Sequence, residues 1–258
     1  MNPITRRKML ATGGLAAAAL VGKSQSVSTT EPARPVAALP TVGKKFKIVV
    51  TGGHPGDPEY GWGGTIVRLT ERGHVVTLLY LNRGDPAEKP GDPGPFPRVA
   101  EAGRACEILE VRPVFAGQID GHSVVDAAHC AAFRHLLDVE KPDAVFTHWP
   151  IDNHADHRAM SLLVYDAWLH QRKAFSLFYY EVSNGEDTVQ FAPTEYLDIT
   201  ASETRKRRAC FAHASQDPER YYQLQEMVAR MRGAECGHGY AEAFVRHLQS
   251  PAFPLPPP

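Results

Sequence analysis

The sequence predicts an α/β protein with a Rossmann-like three-layer fold, in which helices cover both faces of a mostly parallel central sheet. Three observations lead to this prediction. Short apolar, β-branched runs alternate with segments of helical periodicity, as in βαβ units. The strand runs are continuously apolar, which is typical of strands that are buried on both faces. The chain has 258 residues, 43% of them hydrophobic, and is therefore long enough for one such domain.

The pattern begins with a strand over 46–51, which ends at two glycines. A helix over 61–72 follows, because apolar residues recur there at helical spacing before a terminal glycine. The same criteria predict the next elements in order: a strand at 75–81, a helix at 98–109, a strand at 113–116, a helix at 126–140, a strand at 144–149, a helix at 155–171 and a strand at 175–182. Two long loops, 84–97 and 184–196, are expected to shape specificity.

The C-terminal part of the chain is predicted to add an edge strand over 197–200 and two helices. Thr200 to Glu203 has the form of a capping box, which would open a basic helix reaching His213. Asp217 and Pro218 suit the N-cap and first position of the last helix. Since no internal repeat or change of composition appears, residues 41–258 are interpreted as one domain.

Residues 1–40 differ from the rest of the chain. Arg6 and Arg7 precede a small apolar run over 11–21, which is too short for a stable membrane span and is typical of a secretory signal. The adjacent arginines resemble a bacterial twin-arginine (Tat) signal. The expectation is export to the periplasm or extracellular space, with the Tat translocase as a transient partner and no stable membrane anchor. An ordinary secretory signal or an uncleaved amphipathic anchor are the alternatives.

The charge balance bears on possible partners. Without residues 1–40 the chain keeps 23 basic and 28 acidic residues, a net charge of −5. Proteins that bind nucleic acid through phosphates need a basic excess or stripe, so nucleic-acid binding is not expected. Four cysteines are too few for a disulfide scaffold of this size.

Imidazole and carboxylate side chains follow two of the predicted strands. His54 and Asp57 come after the first strand, and the segment 154–157 (His-Ala-Asp-His) follows the fourth. Ligand sites in such sheets lie beyond the carboxyl ends of the strands. Each motif alone is also explained by helix capping and surface histidines. Together they suit a catalytic zinc, which takes three protein ligands and a water whose pKa it lowers toward 7, giving a hydroxide able to attack a carbonyl. His148 and Trp149 are interpreted as a packed aromatic rim.

These motifs resemble those of the PIG-L/LmbE-like N-acetylglucosaminyl deacetylases. The segment 54–57 (His-Pro-Gly-Asp) is similar to that family's HPDD signature, and 154–157 to its HxDH signature. Further similar segments follow in order at 82–85, 98–101, 206–216 and 240–244. The resemblance implies a hydrolase with one Zn²⁺ per chain, which removes an acetyl group from the amide nitrogen of an amino-sugar or related conjugate. The zinc ligands that it implies are His54, Asp57 and His157.

Roles for other residues also follow from the resemblance. His154 would stabilise or protonate the tetrahedral intermediate, and Asp156 would hold its ring in position, as carboxylates do for imidazoles. Arg98 matches a substrate-facing arginine, although a salt bridge with Glu101 at the helix start explains it equally well. Asp120 is assigned to substrate binding together with Arg98.

The sequence departs from the family at Gly56, where members usually carry the aspartate that acts as general base. Glu59, Asp120 and Asp156 are the candidate replacements, and the sequence does not choose among them. Treating Gly56 as an insertion would make Asp57 the base but would remove a metal ligand. The alternative function is therefore a catalytically weak zinc- or carbohydrate-binding relative. A Rossmann-type nucleotide binder is disfavoured because the turn after the first strand lacks a G-x-G-x-x-G sequence.

Overall fold

Seven strands form one mixed sheet in this computed structural model, which describes residues 43–84 and 97–256. The expected signal segment and most of loop 84–97 lie outside the described residues. The strands are β1 (Lys47–Gly52), β2 (Val75–Asn82), β3 (Arg112–Gln118), β4 (Ala144–His148), β5 (Ser176–Tyr180), β6 (Glu195–Asp198) and β7 (Ala241–Arg246). Their order is β3-β2-β1-β4-β5-β7-β6, and β1 to β5 run parallel.

Helices cover both faces of this sheet. They are α1 (Asp57–Thr70), α2 (Pro97–Leu109), α3 (Ala127–Glu140), α4 (Ala155–His170), α5 (Glu203–Phe211) and α6 (Pro218–Cys236). One buried cluster joins the sheet to α1, α2 and α5, and a second joins it to α3 and α4. The predicted α/β class is thus confirmed. Among the described helices, none combines the length and apolar composition needed to cross a bilayer.

Strand β1 shows how the sheet supplies both cores. Ile48 and Val50 lie in the cluster with α1, whereas Val49 between them lies in the cluster with α4. Successive side chains of a strand point to opposite faces, so a strand covered on both sides must be apolar throughout. This requirement explains why the continuous apolar runs predicted the parallel strands well.

Helix α1 begins at Asp57, four residues earlier than predicted, and packs unusually close to the sheet. A Cβ on Gly61 would lie 2.5 Å from the Tyr180 ring, and one on Gly64 would lie 2.7 Å from Ile199. Such distances leave no space for a side chain at either position. Glycine therefore allows the start of α1 to approach the carboxyl end of β5.

The C-terminal elements differ from those predicted. The capping box does not form: Ser202 is the N-cap of α5, and the Thr200 hydroxyl instead donates to Asp198 Oδ1 at 2.6 Å. Strand β6 correspondingly ends at Asp198 and not at Thr200. Strand β7 was not predicted at all, and it pairs antiparallel with both β5 and β6.

A buried ion pair ties β7 to the helices. Lys206 Nζ lies 2.6 Å from Glu242 Oε1, and both side chains are almost fully buried. Glu242 also accepts hydrogen bonds from the backbone nitrogens of Gly64 and Thr65. This one carboxylate therefore joins α1, α5 and β7.

Candidate metal centre

The loops after β1, β3 and β4 open into one cavity at the carboxyl edge of the sheet. The sequence-predicted residues that line it are His54, Asp57, Arg98, Asp120, His154 and His157. Asp156, the remaining predicted site residue, is fully buried against His54. The parallel order of the strands causes this convergence, because it places their carboxyl ends side by side.

Asp57 lies at the centre of a group of imidazoles. Its Oδ2 atom is 3.3 Å from His54 Nδ1 and 3.2 Å from Nε2 of both His148 and His157. Burial alone would raise the pKa of Asp57, but the charges of His157 and His54 outweigh burial and hold it well below its usual range. The carboxylate is therefore ionised and inside the protein, where it needs a positive partner.

His157 is oriented by a second carboxylate. Its Nδ1 lies 3.1 Å from Asp152 Oδ1, which directs Nε2 toward Asp57. Burial lowers the pKa of His157, yet Asp57 and Asp152 overcome this effect and raise it to about 9. Asp152 Oδ2 in turn accepts a hydrogen bond from Thr188 Oγ1 at 3.0 Å. Outer carboxylates of this kind fix the ring orientation of metal-binding histidines.

His54 has two further acidic neighbours. Its Nε2 lies 3.0 Å from Asp120 Oδ1 and 3.0 Å from Asp156 Oδ2. Burial opposes protonation, but Asp57, Asp120 and Asp156 together raise the pKa of His54 well above its usual value. The expected pairing of Asp156 with the His154 ring is wrong in this structure, because the carboxylate faces His54 and the amides of the loop after β3. Asp156 forms its hydrogen bond to His154 through its backbone N–H, which donates to His154 Nδ1 at 3.3 Å.

His154 forms the N-cap of α4, and its ring stands next to two other rings of the site. The ring centroids are 4.6 Å from His54 and 4.7 Å from His157. Burial, followed by the charges of His54 and His157, lowers the pKa of His154. Because Nδ1 accepts a hydrogen bond, the neutral ring carries its proton on Nε2 and can donate it to a bound oxygen.

His148 is a member of the site that the sequence interpretation undervalued. It is fully buried, stacks on His157 with 4.0 Å between ring centroids, and receives a hydrogen bond from Gly53 N at 3.0 Å. Burial and the charge of His157 lower the pKa of His148 to about 4, so its ring is neutral. The sequence did contain a signal for this role, because His148 ends a predicted parallel strand just before the loop that carries His154 and His157.

Arg98 lines the cavity and holds two loops together. Its guanidinium donates to Gly84 O at 2.7 Å and to Pro55 O at 2.9 Å. The alternative pairing with Glu101 is not what forms, since Glu101 accepts hydrogen bonds from the backbone and hydroxyl of Ser215. Substrate binding by Arg98 therefore remains a prediction. The structure shows a second role, in which Arg98 connects the loops after β1 and β2.

The position of the absent base is occupied by a glycine in a restricted conformation. Gly56 has φ +113°, a region that residues with a Cβ rarely adopt. The space itself is open, since a Cβ there would lie 3.5 Å from the Tyr60 ring and 3.9 Å from His213. The backbone, and not crowding, therefore disfavours a side chain at this position.

The three candidate replacement carboxylates differ in access to the cavity. Glu59 is fully buried and binds the Tyr80 hydroxyl, at 2.7 Å, and His213. Asp156 is also fully buried. Asp120 lines the cavity, and its side chain keeps 23% of its surface exposed. Of the three, Asp120 alone reaches the space where a substrate would lie.

The donor set fits a divalent metal. Nitrogen atoms of His54, His154 and His157 lie within 4.8 Å of one another, as do donor atoms of Asp57, His148 and His157. Without a metal, protons on His54 and His157 balance the buried Asp57 carboxylate. Imidazole nitrogen and carboxylate oxygen are the ligands of catalytic zinc sites, and a divalent cation would replace those protons.

Comparison with known proteins agrees with this geometry. Residues 49–168 match the family described as PIG-L, GlcNAc-PI de-N-acetylase. This part of the chain is similar to PIG-L domains and includes both histidine-aspartate loops. The match supports the resemblance found in the sequence.

Individual relatives extend the match along the chain. Diacetylchitobiose deacetylase of Thermococcus kodakarensis is 28% identical over 218 residues, which cover 76% of this chain and 81% of the relative. The conserved protein TT1542 of Thermus thermophilus superposes with a TM-score of 0.69 at 28% identity, covering 83% of this chain and 100% of that one. N,N'-diacetylchitobiose deacetylase of Pyrococcus horikoshii shares the fold, with a TM-score of 0.66 at 22% identity, over 78% of this chain and 83% of that one.

Proposed function

We propose that this protein is a zinc-dependent hydrolase that removes an acetyl group from the amide nitrogen of an amino-sugar or related conjugate. The match to PIG-L domains and the deacetylase relative support metal-dependent N-deacetylation of an amino-sugar substrate. The observation that carries the proposal is the buried Asp57 carboxylate facing His54, His148 and His157 at the open edge of the sheet. The zinc itself and the residue roles below are our proposal.

His54, Asp57 and His157 would hold the metal. When bound, zinc supplies Lewis-acid polarisation of a carbonyl and lowers the pKa of a water molecule. Asp152 keeps His157 directed toward the site through its 3.1 Å contact with Nδ1. Asp156 orients His54 in a similar way, because its Oδ2 lies 3.0 Å from His54 Nε2.

His154 and Asp120 are placed to handle charge and protons. The Nε2–H of His154 can donate to the acyl oxygen as negative charge develops there, a contribution that is worth about 10²–10³ in kcat when such a donor is removed. The Asp120 carboxylate, which faces the cavity beside His54, would accept the proton of the attacking water. In this way Asp120 takes over the task for which Gly56 has no side chain.

Acetate release tests this proposal. Full-length protein loaded with zinc is expected to release acetate from N-acetylglucosamine or diacetylchitobiose, to lose activity with a chelator and to regain it with zinc. His154→Ala should lower kcat by about 10²–10³, whereas His170→Ala, at an exposed helix end, should leave it unchanged. Zinc and sugar binding without acetate release would instead establish the catalytically weak relative that Gly56 suggests. Absence of both zinc binding and acetate release would reject both functions.

We also propose export through the Tat pathway, on the basis of Arg6 and Arg7 and the apolar run after them. In a bacterial host, the wild-type chain should accumulate outside the cytoplasm. Replacing both arginines by lysine should retain it in the cytoplasm, because the translocase reads the arginine pair. Unchanged export of the double-lysine variant would indicate an ordinary secretory signal.

A further inference from the structure

Three aspartates line the cavity, and they differ in what neutralises them. Asp57 faces the protonated rings of His54 and His157, and Asp120 lies 3.0 Å from His54 Nε2. Asp187 also lines the cavity and is half-buried. Over residues 43–84 and 97–256, no lysine or arginine forms an ion pair with it. Among the described residues that line the cavity, Asp187 is thus the aspartate that makes no ion pair with a proposed metal ligand.

Backbone contacts hold Asp187 firmly against the metal-binding loop. Its N–H donates to Ser183 O at 2.9 Å, and its carbonyl accepts from Asn153 N at 2.8 Å. The next residue, Thr188, forms a β-bridge with Asp152. The carboxylate is therefore presented from a fixed turn, and not from a free loop.

The environment of Asp187 favours the arrival of a positive charge. Burial raises the pKa of Asp187 above its usual value, and the charge of His157 and a hydrogen bond from the Ser183 side chain only partly oppose this. A cation placed against the Asp187 carboxylate would stabilise the ionised form and so lower the pKa of Asp187 again. The substrate amide is neutral, but hydrolysis converts it to acetate and an amine, which takes up a proton and becomes a cation.

We propose that the Asp187 carboxylate binds the amino group that deacylation uncovers, so that the site recognises the amine product as an ammonium ion. This inference rests on the proposed function, and it names the nitrogen side of the substrate as the part that this wall of the cavity recognises. A competing role for Asp187 is acceptance of a hydrogen bond from a sugar hydroxyl. Asparagine would retain an acceptor oxygen for a hydroxyl but would lack the charge.

The test measures binding of glucosamine and of N-acetylglucosamine to zinc-loaded, full-length protein by calorimetry, with acetate release recorded in parallel. Asp187→Asn should bind glucosamine about tenfold or more weakly, as expected when a hydrogen bond between charged groups is lost, and should bind N-acetylglucosamine like wild type. Glu186→Gln is the matched control, because this neighbouring carboxylate is exposed and pairs with Arg220. It should leave both affinities unchanged.

Each other result overturns the inference. Equal glucosamine binding by wild type and Asp187→Asn, or no glucosamine binding by wild type, would exclude an ammonium site. Equal weakening of both sugars would assign Asp187 to a hydroxyl or to the shape of the cavity. Any of these results with acetate release intact would leave the proposed function standing, whereas loss of acetate release from wild type would reject the function itself.

Discussion

Gly56 has a backbone conformation that decides what mutation can do at this position. An aspartate there would restore the carboxylate typical of the family, but φ +113° is strained for any residue with a Cβ. We therefore expect Gly56→Asp to lower the free energy of unfolding by about 1–3 kcal/mol and to leave the rate without gain. Urea denaturation and acetate release measure the two effects.

The control for Gly56→Asp is Gly103→Asp, at a helical glycine whose Cβ would meet nothing within 4 Å. That variant should fold and react like wild type. A rise in kcat in Gly56→Asp would show that the turn relaxes to accept a side chain and that the original base position still functions.

Asp120 gives a second prediction for a single residue. If it accepts the proton of the attacking water, Asp120→Asn should lower kcat by about 10²–10⁴ while zinc content stays the same. Metal analysis and steady-state kinetics would measure this. Asp138→Asn, an exposed change on α3, serves as the control. An unchanged kcat in Asp120→Asn would remove this residue from the proton transfer.

For the individual site residues, the sequence predicted which loops would meet but not which side-chain atoms would be in contact. The motifs brought His54, Asp57 and His157 into one candidate set, and the structure places them together. Their roles as ligands remain predictions. The direction of Asp156 toward His54, and the burial of His148 against Asp57, depend on neighbouring strands and turns. Such contacts come from tertiary packing, which local spacing does not encode.

Among the secondary-structure elements, the buried Lys206–Glu242 pair links α1, α5 and β7. Glu242→Gln would leave a buried ammonium without its charge partner, and it should cost about 3–5 kcal/mol of the free energy of unfolding. Arg230→Ala removes an exposed pair with Glu226 on α6 and should leave the free energy of unfolding nearly unchanged. Urea denaturation of both variants provides the comparison. Similar losses in the two would mean that Glu242 is not a structural link between α1, α5 and β7.

The elements themselves divide into those that local patterns specify and those that they do not. The parallel strands β1, β2, β4 and β5 were predicted because burial on both faces demands continuous apolar sequence. Strand β7 escaped prediction because its six residues carry Glu242, whose charge is compensated by Lys206 and by two amides of α1. The start of α5 was placed wrongly for a related reason, since the Thr200 hydroxyl binds Asp198 in a turn before the helix.

For the whole molecule, the site predicts how metal-free protein responds to pH. The folded-state pKa of His157 is raised to about 9 from 6.5, so its proton stabilises the fold below pH 6.5. This contribution should be lost progressively as the pH rises from 6.5 through 9. If His157 binds zinc as proposed, zinc and protons compete for this ring, and zinc affinity should increase over the same range.

Thermal unfolding across that pH range, with chelator and with zinc, measures this effect. The melting temperature of the chelated protein should fall as the pH rises, and the zinc-loaded protein should depend on pH much less. A chelated protein that gained stability toward pH 9 would contradict the protonated state assigned to His157.

Asp152 connects the orientation of a proposed metal ligand with the position of the turn that forms one cavity wall. One of its oxygens orients His157, and the other accepts the hydroxyl of Thr188 at the end of the turn that presents Asp187. Exchange of that turn, by evolution or by loop grafting, would disturb the histidine as well as the cavity wall. New substrate preferences in this scaffold are therefore expected to arise through side-chain changes on an unchanged turn, because a wholesale loop replacement would sacrifice metal affinity.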